Sequence, residues 1–250
     1  MNSIFHTLVY DPLYNILIGL YDTVSFEDFG IAIILTTILL KIVLIPLSKK
    51  QIESQKGLQE IQPKIKALQK KYKEDKEKQA RELMALYKKE GVNPLGGCLP
   101  LIIQLIFFIA IYRVLINISG AGFLVDETLL YSIVPNPGKV DTLFLGILDL
   151  NQPNAILAFI TAVAQYFQMK MMNNKKKNES IKQKEEDKKD EKSATPDFAE
   201  MMNTQMLYIF PALTLFIGLT FGAGLILYWL TTTLFMITQQ WYVMKRKSVL

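Results

Sequence analysis

Long apolar runs alternate with strongly charged ones along this chain, and the apolar runs have the length of a membrane crossing. The first, residues 29–47, packs twelve Ile, Leu and Val side chains around one charge, Lys41. A helix rises 1.5 Å per residue, so a run of this length crosses a hydrocarbon core of roughly 30 Å. Four further spans lie at residues 94–116, 154–172, 205–221 and 224–243, the last two joined through the turn Gly222-Ala223-Gly224. Between the first two spans, residues 48–93 carry sparse apolar positions at helical spacing: Ile52, Leu58, Ile61, Ile65 and Leu68, then Leu83, Met84, Leu86 and Tyr87. That pattern, broken at Pro63 and at the polar tip 73–78, predicts two antiparallel helices outside the membrane. Residues 1–28 predict a short amphipathic helix at the membrane surface. It starts with Asp11 as N-cap and Pro12 at the first helical position, and its apolar face holds Leu13, Ile16, Leu17, Leu20 and Tyr21.

Charge orients the spans. The segment 48–93 holds thirteen Lys and Arg against seven acids, and the tail 244–250 holds Lys245, Arg246 and Lys247. Residues 173–204 are a charged, low-complexity stretch expected to be disordered. All three fall on one side of a five-span chain, while 1–28 and the acid-leaning loop 117–153 fall on the other. Lys and Arg mark the cytoplasmic side, which predicts an outside N-terminus and a cytoplasmic C-terminus. The fold class expected is therefore an all-α polytopic membrane protein. Overall the chain is half hydrophobic across 250 residues and carries a net +5 charge.

Candidate chemistry is sparse. Cys98 is the single cysteine and His6 the single histidine, so an intramolecular disulfide is excluded, and neither a metal site nor an activated thiol is expected. No Gly-rich phosphate loop is present. The predicted spans contain neither Asp, Glu nor His, so catalytic residues, cofactors and enzyme activity are not expected. Lys41 is different. A lysine at mid-span costs about 2.5–3.5 kcal/mol, against roughly 0.3–0.6 returned by each Ile, Leu or Val. Its apolar neighbours carry that cost, and the residue is expected to face protein or water. The rival reading is a side chain that reaches to the headgroups beside residues 48–50.

Four stretches carry a resemblance: ILLKIVLIPLSKKQ (38–51), LQEIQPKIKALQKKY (58–72), LMALYKKEGVNPLGGCLPLIIQLIFFIAIY (83–112) and GLILYWLTTTLFMITQQW (224–241). Through them the chain resembles the YidC/Oxa1/Alb3 family of membrane protein insertases, in particular its bacterial branch. The resemblance implies five transmembrane helices around a hydrophilic groove, a cytoplasmic helical hairpin, and one basic residue of the first span lining the groove. That position is usually arginine and is Lys41 here. The Phe-Pro-x-Gly expected before the last helix reads Phe221-Gly222-Ala223-Gly224.

The function that the resemblance implies is that of an insertase and chaperone of the bacterial cell membrane. Such a protein moves short polar segments of client proteins across the bilayer and releases their helices into lipid. Expected partners are nascent membrane proteins, the ribosome and targeting machinery, a Sec translocon and the lipid bilayer, with no specific nucleic-acid sequence. Lys41 is the candidate client-binding charge. Thr37 lies one turn away on the same face, and Gln104, Gln165, Thr231, Thr232 and Gln239 are candidate polar lining, with Trp229 as a groove aromatic. Each lining residue has a rival reading as an interhelical hydrogen-bonding group. A small secondary transporter with an intramembrane lysine is the alternative function; the absence of internal repeats argues against it.

Overall fold

Pro46 sets the first boundary. Proline offers no N–H to the helix ladder and disfavours helical geometry in the residue before it. In the computed structural model, which describes residues 2–93, 99–173 and 198–246, the expected first span is accordingly two helices. The chain forms two units, residues 1–42 with 107–250, and residues 43–106.

The larger unit opens with α1 (Asn2–Phe5), a π-helical turn at His6–Tyr10, and α2 (Asp11–Thr23). Asp11 does not cap α2, as the sequence suggested, because the backbone is already helical at Tyr10. The wide turn before Pro12 absorbs its missing donor, as such turns do, and Asp11 N–H reaches back to the His6 carbonyl. Asp11 Oδ1 instead lies 3.5 Å from His6 Nδ1. Asp28 then caps α3 (Phe29–Val43), its Oδ1 accepting the Ile31 N–H at 2.9 Å. At 15 residues α3 measures about 22 Å, short of a bilayer core by itself.

In the smaller unit α4 (Ile45–Glu60) is followed by α5 (Gln62–Lys71), with Pro63 in the first turn, and α6 (Lys76–Lys89). Asp75 caps α6 through the Lys78 N–H at 2.9 Å. Helices α5 and α6 run antiparallel, tied by a Lys64–Glu90 ion pair at 2.7 Å and by Gln79 Nε2 donating to the Gln69 carbonyl at 2.9 Å. Ile52, Ile61 and Ile65 are buried, whereas α6 buries no residue and Met84 stands exposed. The second apolar stripe of this segment is therefore too thin to make a core.

Helix α7 (Leu99–Gly120) carries Ile102–Gly120, the one stretch among the described residues long and apolar enough to cross a membrane alone. Its C-terminal end lies in the larger unit with the loop that comes after it. That loop folds into a 3-10 turn at Glu127–Leu129 and a hairpin of β1 (Leu143–Phe144) and β2 (Leu148–Asp149). Helices α8 (Ala155–Asn173), α9 (Phe198–Thr220) and α10 (Ala223–Arg246) complete the chain. Only Phe221 and Gly222 separate α9 from α10. A Cβ at Gly222 would stand 2.8 Å from the Leu150 carbonyl oxygen, so this turn admits no side chain. Of the stretch 173–204 expected to be disordered, Asn173 closes α8 and residues 198–204 form the first turns of α9; residues 174–197, like Cys98 with 94–97 and the tail 247–250, lie outside the described residues.

Helix α8 packs between α9 and α10. It lies antiparallel to α9: a Cβ at Gly218 would collide with the Ala158 side chain, and Tyr166 faces Tyr208 with ring centres 6.2 Å apart. The apolar core gathers at the loop end, where Ala32 and Ile33 of α3, Ala110, Ile111, Val114 and Ile118 of α7, and Ala223, Leu225, Leu227 and Tyr228 of α10 are buried together. The amphipathic face of α2 enters the same core through Leu13, Tyr14, Leu17, Ile18 and Tyr21, so protein covers it. Ile16 and Leu20 of the expected face are only half-buried.

Candidate functional site

Helical periodicity places Ile33, Thr37 and Lys41 on one stripe of α3. Ile33 reaches the start of α10, its Cδ1 being 3.5 Å from where a Cβ on Gly224 would stand, with Leu115 of α7 at 3.4 Å. On α10 the positions at matching intervals from Gly224 are Tyr228, Thr231, Thr232 and Gln239. Both helices start at the loop end: Phe144 packs over Gly30, and Gly224 N–H donates to the Leu150 carbonyl. Lys41 and Thr232 each lie eight residues beyond the Ile33–Gly224 layer, about 12 Å deeper at 1.5 Å per residue. The two stripes, in contact at the Ile33–Gly224 layer, thus change from apolar to polar at the same distance beyond it.

The polar groups differ in how they are satisfied. Thr37 is buried and donates to the Ile33 carbonyl at 2.6 Å, and Thr231 donates to the Leu227 carbonyl at 2.8 Å. Thr232 Oγ1 and Gln239 Oε1 are buried with no hydrogen-bond partner, as are Thr36 Oγ1 and Gln240 Oε1. Each such atom carries a desolvation cost of about 1–3 kcal/mol, and native structures leave few of them. Thr36 and Gln240 were missed in the sequence, although each adjoins a residue that was named. Trp229 is half-buried and meets Phe108 of α7 edge-on at 5.3 Å.

Gln165 takes up its rival role. It is buried on α8 and accepts the Thr214 hydroxyl of α9, an interhelical bond that ties those two helices. Gln104 is half-buried on the part of α7 that belongs to the smaller unit. No group of three or more His, Cys, Asp or Glu side chains stands close enough to hold a metal ion among the described residues.

An apolar core at one end, a lysine and buried polar groups farther along the helices, and one helix long and apolar enough to cross a membrane fit a helical membrane protein. The profile of the 60Kd inner membrane protein family matches residues 19–249, and the chain belongs to that family of the bacterial inner membrane. A membrane protein insertase YidC of Fusobacterium nucleatum is 32% identical over 220 residues, covering 88% of this chain and 87% of the relative. Proteins of the same name from Streptomyces avermitilis and Pelobacter propionicus are 31% and 33% identical, over 86% and 96% of this chain. This chain spans about half of the Streptomyces protein (51%) and 39% of the Pelobacter protein.

Proposed function

We propose that this chain is a membrane protein insertase that carries short polar segments of client proteins through a groove between α3 and α10 and releases their helices into lipid. The observation that carries the reading is the pair of stripes that meet at Ile33 and Gly224 and turn polar beyond that layer, at Thr36, Thr37 and Lys41 on α3 and at Thr231, Thr232 and Gln239 on α10. A recess of that kind shortens the low-dielectric path for a polar segment, and Lys41 supplies a positive charge for acids in the client's tail. Hydrophobic transfer of the client's own helix provides the driving force, and no bond is made or broken. Thr37, Thr231, Thr232 and Gln239 line the recess, with Trp229 at its edge. Gln165 holds α8 to α9.

In this reading the chain has five spans, an outside N-terminus and a cytoplasmic C-terminus. The pair α5–α6 lies in the cytoplasm, where its lysines meet ribosome, targeting factor or a Sec-type translocon.

The test compares paired clients with acidic or neutral tails in proteoliposomes at matched protein levels. Opposite charges about 4 Å apart at an effective dielectric near 20 attract by roughly 4 kcal/mol, and hydration lowers this to 1–2 kcal/mol, on the order of ten-fold in occupancy. Lys41→Arg is expected to retain insertion, Lys41→Ala to lose it mainly for acidic tails, and Lys41→Glu to be worst. Equal insertion of both clients by wild type and Lys41→Ala would reject the groove charge and leave Lys41 as a headgroup-seeking residue.

A further inference from the structure

Two neighbouring turns at the loop end hold apolar side chains where water disfavours both the backbone and the side chain. Leu145 and Gly146, at the tip between β1 and β2, have φ of 53° and 68°, and Phe26 and Glu27 before α3 have φ of 54° and 60°. Glycine takes this left-handed region freely, and Asn or Asp tolerates it best among the rest. Here Leu145 and Phe26 occupy it, and they stand 61% and 93% exposed, with Ile147 at 87%. A strained turn that also displays its apolar side chains breaks two local preferences at one place, and such places mark function.

The exposed side is not loose. The opposite face of the hairpin is fixed by Phe144, which packs over Gly30, and by Leu148 against the core. Asp28 joins the two turns with both carboxylate oxygens: Oδ1 accepts the Ile31 N–H of α3 at 2.9 Å, and Oδ2 accepts the Leu145 N–H at 2.6 Å. The tips are therefore tied to the first turn of α3. Farther along, α3 is apolar on its outer surface as well, with Leu39 and Ile42 exposed.

We propose that Phe26, Leu145 and Ile147 form a lipid anchor that inserts at the boundary of headgroups and acyl chains where α3 enters the bilayer. The occupant is set by continuity. Phe26 precedes the first residue of α3 by three positions, so the tips lie in the plane where the apolar surface of that helix begins. Aromatic and aliphatic side chains are stable at that depth, and the neighbouring charge of Glu27 extends to the aqueous side. The anchor fixes the height of the loop end, and with it the depth at which Lys41 and Thr232 sit. This inference rests on the reading of α3 as a membrane span.

Nitroxide labels on single cysteines, in a Cys98→Ser chain reconstituted into phosphatidylethanolamine–phosphatidylglycerol vesicles, test it. The positions are Phe26→Cys, Leu145→Cys and Ile147→Cys, with Leu39→Cys as the lipid reference and Lys73→Cys as the water reference. The ratio of collisions with oxygen to collisions with a water-soluble nickel chelate is expected to stand several-fold above the Lys73 value at all three tips, and below the Leu39 value. Tip ratios equal to that of Lys73, with Leu39 in lipid, would overturn the anchor alone. A Leu39 ratio equal to that of Lys73 would overturn the span and the anchor with it. Because all three tip positions are exposed, the labels displace no packed side chain.

Discussion

Tyrosines of α2 and of the π-helical turn before it act through their hydroxyls on groups more than a hundred residues away, in the loop and near the end of α7. Tyr14 accepts the Asp126 N–H at 2.8 Å and Tyr21 the Asp141 N–H at 2.9 Å, while Asn117 donates to Tyr10 at 2.6 Å. Asn15 completes the set, donating to the Leu129 carbonyl at 2.8 Å and accepting the Tyr131 N–H at 2.6 Å. Burial raises all three phenols above the ordinary value of 10.0, outweighing the hydrogen bonds that favour ionisation. A folded-state pKa above the unfolded one contributes stability that is complete below about pH 10 and is lost as pH rises through the folded values. Protease cutting within residues 121–150 is therefore expected to begin only with the last tyrosinate absorbance in an alkaline titration. Tyr14→Phe removes the acceptor of one amide, costs about 1 kcal/mol, and is expected to speed hydrogen exchange at Asp126. A loop that opens before these tyrosines ionise would show that other contacts hold it.

Among the elements, α8 and α9 show how small side chains and one polar pair fix a contact between two apolar helices. Gly218 against Ala158 brings the backbones close, and Gln165 with Thr214 supplies the directional bond. Membrane hydrogen bonds of this kind are worth about 0.6 kcal/mol on average and at most roughly 2. A double-mutant cycle of Gln165→Leu and Thr214→Val is expected to return a coupling in that range, read from stability in detergent. A coupling of zero would show that packing alone holds the pair.

Hydropathy made the helices legible, and their ends less so. The break after Val43 arises from Pro46, which lies inside the apolar run and does not alter its mean hydropathy. Pro12 misled in the opposite direction: it suggested a start for α2, but the π turn at His6–Tyr10 lets the helix continue through it. Lys41 was legible because a charge in a long apolar run has few explanations. Thr36 and Gln240 were not, since an uncharged polar residue looks alike whether its oxygen is bonded or bare. The roles of Tyr10, Tyr14 and Tyr21 were hidden because their partners are remote in sequence, and two of the three are backbone groups without side-chain signature.

At the scale of the whole molecule, the apolar core and the loop lie at one end of the helices of the larger unit, and the polar stripes lie toward the other. That asymmetry suits a recess closed on the outside, and it makes orientation testable. Single cysteines at Asp126 and Lys73, in a Cys98→Ser chain, are expected to react from opposite faces of the membrane with an impermeant maleimide. Equal labelling of both in intact cells would overturn the five-span arrangement.

The bonds that hold α2 to the loop also set a schedule for synthesis. Its partners are made 112 to 120 residues later, which at ~5–20 residues per second leaves roughly 5–25 s before they exist. Throughout that interval the apolar face of the nascent helix lacks its partners from α7, the loop and α10, and the bilayer surface is an apolar phase within reach. A chain arrested before residue 117 is expected to leave this helix bound to lipid and open to proteolysis, and one arrested well past residue 141 to leave it protected. The membrane thus serves this segment twice, as temporary shelter while the chain grows and as the medium the finished protein works in.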